Sequence, residues 1–307
     1  MREFEFILTR NILPLALIIG VGMLLGRIFP LDLKTLSKLT FHLFTPVVIF
    51  KLIYESHLSP AVAGQVLLFL VLFLACLLLA VEAASRIRKQ GDGRKQAMRN
   101  SVLLYNSGNY AIPLNQLYFG NDPFSMSIQV IVMIAQNILG NTYGVMNAAS
   151  GRGTLRDSLR SVLTLPSLYV IPAAFLMKGF RVPVPQALSI PIGYVADAYV
   201  AIALVTLGIQ LGSMKWKFDF SDVLLSNVLR LCAGPVIGYL LVLAMGYHGT
   251  MAQALVLSCA VPTSVSSVLL AVEYDNQPQF ASQAVFSSTV FSMFTMAVVI
   301  YLLKMVG

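Results

Sequence analysis

Charge is scarce in this sequence. Asp, Glu, Lys and Arg make up 11% of 307 residues, against about 25% in soluble globular domains. Cysteine and histidine are scarcer still, at three each. Cys76, Cys232 and Cys259 all fall in apolar runs, without a CxxC and with no histidine nearby, which excludes a disulfide framework and a zinc site. His42, His57 and His248 are scattered without metal spacing. A membrane enzyme would need clustered His, Cys or carboxylates, so the chain is read as non-enzymatic, with no cofactor and no metal. What is abundant is apolar: 57% of the residues, with a mean hydropathy of +0.79. Ten spans of roughly 20 residues would occupy about 200 positions. The remainder suffices for short loops and excludes a separate soluble domain. The net charge of +8 is therefore read as loop charge at a membrane surface, not as a nucleic-acid footprint.

Ten apolar runs lie between charged or Pro/Gly-rich breaks, at 11–29, 39–54, 60–85, 100–119, 123–148, 161–177, 187–211, 222–245, 251–274 and 279–303. The first is not a signal peptide: no small-x-small site follows it, and it is long enough to span. Basic residues then orient the chain in the cell membrane. With the amino terminus outside, the inner loops hold Arg27, Lys34, Lys38, Arg86, Arg88, Lys89, Arg94, Lys95, Arg99, Arg152, Arg156, Arg160, Lys215 and Lys217, which is 14 of 21. Arg2, Arg10, Lys51, Lys178, Arg181 and Lys304 fall outside, and Arg230 sits within a span. This bias places both termini outside and 86–99 in a cytoplasmic loop.

The chain also echoes itself. Tyr118-Phe119-Gly120-Asn121-Asp122-Pro123-Phe124 returns 156 residues later as Tyr274-Asp275-Asn276-Gln277-Pro278-Gln279-Phe280. Five spans per half is an odd number, so residues 150–307 enter the membrane inverted relative to 1–149. Inverted repeats of this kind are typical of secondary transporters. The fourth span of each half carries the candidate chemistry. Asn106, Gly108, Asn109 and Pro113 interrupt one; Pro262, Thr263, Ser264 and Ser266 interrupt the other. Glycine and proline break both helices near the bilayer centre, where open backbone survives only against protein or a watery cavity. Pro113 and Pro262 are expected in the first turn of the second half-helix. Two amino-terminal ends then face one cavity from opposite sides, with free N–H groups and no carboxylate in either break, which favours a small anion.

At these residues the sequence resembles the auxin efflux carrier family, which includes plant carriers of auxin and bacterial carriers of malonate. The resemblance runs through Asn106, Gly108, Asn109 and Pro113, through Ala196-Asp197-Ala198 to Leu204, Leu207 and Gly208, and through Pro262 to Leu269-Leu270-Ala271 and Tyr274. It implies an all-α fold of ten helices in two inverted five-helix repeats, with spans 4 and 9 crossing at the substrate site. It also implies a homodimer in which spans 1, 2, 6 and 7 form a scaffold, while spans 3–5 and 8–10 move as a transport domain in elevator-type alternating access. The implied cargo is a small organic anion, auxin-like or a mono- or dicarboxylate. A sodium-coupled symporter of the bile-acid type and a non-transporting membrane sensor stand as alternatives.

Other polar residues within the spans keep two readings each. Asp197 is a candidate for coupling to H+ or Na+, or a structural partner. Gln136, Asn137 and Asn141 in span 5, and Ser287, Ser288 and Thr289 in span 10, line the cavity, hold a cation or bond helix to helix. His42 is either a proton-coupling group or a hydrogen-bonded one. Glu82 is read as the partner of Arg86 one turn on. Arg230 is read as snorkelling to the inner surface, so that no buried basic side chain is required for an anion. Topology is directly testable. A cysteine at position 93, in a chain whose three native cysteines are replaced, is expected to react with an impermeant maleimide only after the membrane is opened; labelling in intact cells would reverse the orientation.

Overall fold

The computed structural model describes residues 5, 8–55, 59–120, 122–149, 163, 166–214 and 220–306. Of the residues singled out above, Arg2, His57, Asn121, Arg152, Arg156, Arg160, Lys215 and Lys217 lie outside the described residues. Within them the chain is helical throughout, apart from one isolated bridge at its centre. The order is α1 (Leu13–Ile28), α2 (Leu33–Leu39), α3 (Thr45–Glu55), α4 (Pro60–Ile87), α5 (Asp92–Leu103), α6 (Ala111–Phe119), α7 (Pro123–Leu139) and α8 (Val145–Ala148). It continues with α9 (Pro166–Gly179), α10 (Gln186–Ser213), α11 (Phe220–Val228), α12 (Gly234–Ala244), α13 (Gly249–Cys259), α14 (Ser266–Glu273) and α15 (Pro278–Val306). Wider π-helical turns at Leu8–Ile12, Thr40–Phe44, Gly140–Gly144 and Leu229–Ala233 lead into or join neighbouring segments without a loop. Among the described residues, seven helices are long and apolar enough to cross a membrane: Thr9–Ile28, Thr35–Glu55, Ala61–Ile87, Pro123–Ala148, Gln186–Ser213, Asp222–Ala244 and Pro278–Lys304. The fourth and ninth apolar runs are each divided into two shorter helices. This is an all-helical, multi-pass membrane protein.

Local chemistry explains most of the boundaries. Ser59 accepts a hydrogen bond from Val62 N at 3.3 Å and Pro60 opens α4; Asp122 accepts one from Ser125 N at 2.8 Å and Pro123 opens α7. These are side-chain caps with proline in the first turn. Gly120 ends α6 at φ +65°, the left-handed geometry a glycine adopts without strain. One boundary differs from the sequence reading. Residues 92–99, expected in a loop, form the first two turns of α5. Their charges are neutralised against neighbouring helices: Glu82 pairs with Lys95 at 2.7 Å and Arg99 at 2.5 Å, and Arg94 pairs with Asp222 at 2.8 Å. Glu82 therefore ties α4 to α5 and does not pair with Arg86.

Two packing groups result. In the first, α1 lies along α10, and α3 packs against α9 and α10. In the second, α4 meets α5, α7 and α12; α13 meets α7 and α12; and α11 meets α15. Between the groups Val48, Ile49 and Tyr199 pack with Ile112, Met126, Val130 and Met133. Polar contacts mark two ends of the bundle. Arg94–Asp222, Asn276 to the Ala148 carbonyl (3.2 Å) and Asn276 to Gln96 (3.1 Å) gather at one end. Tyr54 to the Val182 carbonyl (2.9 Å), Lys178 to the Ile53 carbonyl (3.3 Å) and Tyr247 to the Gln65 carbonyl (3.3 Å) gather at the other.

The α1–α10 contact depends on glycine. A Cβ at Gly208 would fall on the Ile19 carbonyl oxygen, and one at Gly22 on that of Val205; at Gly212 it would come within 2.8 Å of Met23 O. Small residues let membrane helices approach this closely. Gly208→Ala is therefore expected to push the helices apart, costing about 1–3 kcal/mol as overpacking does. Thermal unfolding in detergent checks it, and an unchanged Tm would mean that the two backbones do not touch at this point.

Candidate functional site

The two interrupted spans meet at their breaks. After α5 the backbone turns extended at Leu104, with φ −91° and ψ 102°. After α13 it runs through Ala260 and Val261 to Pro262. Tyr105 and Thr263 form an antiparallel bridge: Asn106 N donates to Pro262 O at 2.8 Å, and Ser264 N donates to Leu104 O at 2.8 Å. Each bridging residue also donates its own N–H to a side chain of the span that follows in its half. Tyr105 N reaches Gln136 Oε1 and Thr263 N reaches Ser288 Oγ, both at 3.2 Å. The parallel between Gln136 and Ser288 shows how the same backbone need is met twice.

Breaking a helix leaves its last carbonyls without partners, and here each of several finds one. Thr263 Oγ1 donates to Ser101 O at 2.7 Å. Arg230 Nη1 donates to Val102 O at 3.1 Å, and its Nη2 donates to Cys259 O. Gln129 Nε2 donates to Ser107 O at 2.8 Å while Gln129 Oε1 accepts from Ser258 Oγ, linking the two breaks. Arg230 is thus corrected: it is fully buried, its Cζ 4.6 Å from the Tyr105 ring centroid and 5.7 Å from that of Phe73, and it does not snorkel. Carbonyls at the helix ends hold it where the surface would otherwise have been its only source of partners.

Beside the crossing lies a cavity of about 320 Å³. Asn106, Gly108, Asn109, Ser264 and Ser266 line it, as do Gln136, Asn137 and Asn141. Pro113, Pro262 and Thr263 do not. Pro113 is the third residue of α6, as its first-turn reading expects. Pro262 is a correction: it lies four residues before α14, in the extended stretch, where its carbonyl serves the bridge and its lack of N–H costs nothing. Thr263 is wholly buried and points to Ser101. Asp197 is elsewhere. Its side chain is 76% exposed, it meets Lys51 Nζ at 3.4 Å, and with Glu55 and Gln116 it lines a second cavity on the far side of Tyr199 and Ile112. Of the span-10 trio, Ser287 receives a hydrogen bond from Asn227 at 2.9 Å, which ties α11 to α15, Ser288 accepts from Thr263 N, and Thr289 donates to Val285 O within its own helix.

What distinguishes the cavity is unused hydrogen-bonding capacity. The Asn106, Asn109 and Asn137 side chains make no hydrogen bond to other described residues, and Gln136 Nε2 is buried without a partner. Among the described residues the lining includes no Lys or Arg; its titratable groups are His42, whose Nδ1 is 3.2 Å from Lys38 O, Glu273 and the phenols of Tyr105 and Tyr199. The opposite wall comes from the other packing group: Ser37, Thr40, Thr45, Thr206 and Gln210. Sequence reasoning missed this wall. Thr206 and Gln210, four residues apart and therefore on one helical face, were its available signal.

Residues 155–300 match the family described as membrane transport protein, and the resemblance to the auxin efflux carrier family holds. A protein of Methanothermobacter thermautotrophicus, named an uncharacterized transporter, is 21% identical over 93% of this chain and 95% of its own length. An uncharacterized transporter of Methanocaldococcus jannaschii is 21% identical over 86% of this chain and 87% of its own. Family and relatives agree on membrane transport as the class of function.

The structural and exposed polar residues of the crossing separate by mutation. Thr263→Val keeps the volume but leaves Ser101 O unpartnered, at a cost of about 1–3 kcal/mol. Its Tm is expected to fall while that of Asn109→Ala stays near wild type; equal Tm values would contradict the assignment of Thr263 to the framework.

Proposed function

We propose, for a chain that matches the membrane transport protein family, a secondary carrier of a small organic anion working by elevator-type alternating access. The observation that carries this reading is the set of unpaired amide donors at a crossing of two broken helices. A carboxylate accepts several hydrogen bonds, and Asn106, Asn109 and Gln136 offer N–H groups where few waters compete. The amino-terminal ends of α6 and α14 lie beside the same cavity and add positive potential without a basic side chain. A volume near 320 Å³ is at the small end for ligand pockets, which suits an acid of few atoms.

The finer architecture belongs to the same proposal. Spans 1–5 and 6–10 form two inverted repeats, 1–149 and 150–307, with both termini outside. The group of α1, α3, α9 and α10 is the scaffold of a homodimer; the group of α4 to α8 and α11 to α15 is the transport domain. The cavity between them reaches Ser37, Asn141 and Glu273, toward the end that the loop charges assign to the cytoplasm. It is thus the inward-facing site, and the cavity at Asp197 and Lys51 is the start of the opposite vestibule. Asp197 then belongs to the vestibule and not to ion coupling at the crossing.

The test is binding by thermal shift, then uptake in proteoliposomes, across monocarboxylates, dicarboxylates and indole acids, each beside its amide. Acids are expected to stabilise the protein and amides not. Asn109→Ala should lower affinity for the bound acid about ten- to a hundredfold, the loss of a hydrogen bond to a charged group at about 1.5–3 kcal/mol. Undiminished transport by a folded Asn109→Ala variant would remove the crossing from substrate recognition.

A further inference from the structure

Arg230 is the largest fully buried side chain among the described residues, and no carboxylate among them pairs with it. Burying an unpaired guanidinium is strongly unfavourable, so something else must balance its charge. Its partners supply the answer. Val102 is the penultimate residue of α5, and Cys259 is the last residue of α13. Each half-helix ends with a partial negative charge of about half a unit on its free carbonyls. Two such ends converging on one point are equivalent to about one full negative charge. Arg230 bonds one carbonyl from each end, and its Nε stays without a partner. The aromatic faces of Tyr105 and Phe73 complete its surroundings, which favour a cation electrostatically.

The helix that delivers Arg230 is shaped for the purpose. Its turn at Leu229–Ala233 is π-helical, a distortion frequent at functional sites. Gly234 follows directly, and a Cβ there would come within 2.8 Å of Cys259 O and 2.9 Å of Arg230 Nη2. Only the absent side chain leaves room for the guanidinium against the end of α13.

In secondary transporters with broken helices, carboxyl-terminal half-helix ends are places where a coupling cation is held. We propose that Arg230 is a tethered cation filling such a site: the carbonyl ends of α5 and α13 form a cation-binding position that the guanidinium occupies permanently. The positive ends of α6 and α14 are then left uncompensated toward the cavity. Arg230 positions the crossing and does not touch the cargo. Shortening its side chain opens the position to a free cation.

The experiment measures Tm of the purified full chain in detergent, titrated at constant ionic strength with sodium, guanidinium at non-denaturing concentration, or choline. Wild type is expected to be indifferent to which cation is present. Arg230→Ala should melt well below wild type and regain several degrees, saturably, with sodium or guanidinium but not with bulky choline, as binding to the folded state alone requires. No cation-specific response in Arg230→Ala, or the same response in wild type, overturns the proposal. If Arg230→Ala does not fold, Arg230→Lys and Arg230→Met decide. The tethered charge predicts a higher Tm and yield for lysine despite its desolvation cost. Lysine no better than methionine, including failure of both to fold, overturns the proposal. None of these readings uses an anion, so their failure leaves the carrier reading standing, and failure of every acid to bind leaves Arg230 untouched.

Discussion

Everything at the centre of this molecule follows from the cost of open backbone in a membrane. An N–H or carbonyl without a partner in hydrocarbon costs several kcal/mol, and two helices broken within the bundle expose a set of such groups each. The chain meets this by making the breaks satisfy one another. Leu104, Asn106, Pro262 and Ser264 exchange two backbone hydrogen bonds of 2.8 Å, a fragment of antiparallel sheet in an otherwise helical protein. Neither break is stable alone in that geometry. The crossing is therefore a joint between the two halves of the chain, and it fixes where α6 and α14 begin.

That constraint sorts the polar residues into two populations. Those facing away from the cavity are consumed by the backbone: Thr263 on Ser101, Ser288 on Thr263, Gln129 on Ser107, Arg230 on Val102 and Cys259. Asn106, Asn109 and Asn137, which face the cavity, keep free donors. Gln136 belongs to both, since Oε1 holds Tyr105 N while Nε2 is left over. A residue fixed at one atom and free at another presents its free atom in a defined direction, which is the preorganisation a binding site needs. The framework thus dictates the geometry of the cavity wall without itself lining the cavity.

The same sorting explains what was legible in the sequence. The breaks were legible because Asn106, Gly108 and Asn109, and Pro262 to Ser266, interrupt long apolar runs, and few other causes produce that pattern twice. The partners of the breaks were not. Arg230 reads as a lone cation near a helix end because its ligands are carbonyls of Val102 and Cys259, and a backbone carbonyl has no letter in a sequence. Glu82 reads as an i,i+4 partner of Arg86 because the nearer charge is always visible, whereas Lys95 and Arg99 reach it only after α5 folds back along α4. Pro262 reads as a helix opener by local preference, and tertiary pairing of its carbonyl draws it into extended backbone instead. Position within a span likewise says nothing of which way Asp197 points; the face of α10 decides it, and that face looks outward toward Lys51.

Charge arithmetic joins the framework to function. Four half-helix ends meet near one point, two negative and two positive, and left alone they would largely cancel for any ion in the cavity. Cancellation fails here because the negative pair, at Val102 and Cys259, is bonded by a guanidinium on the side away from the cavity, while the positive pair borders the space lined by Asn109 and Val265. Interactions away from water are weakly screened, so the bonded negative ends do not cancel the positive ends for a charge placed in the cavity. On the carrier reading proposed above, an anion is then favoured in a cavity whose described lining has no Lys or Arg, and it leaves without breaking a salt bridge. Weak, distributed attraction of this sort suits a carrier, which must let its cargo go on the other side.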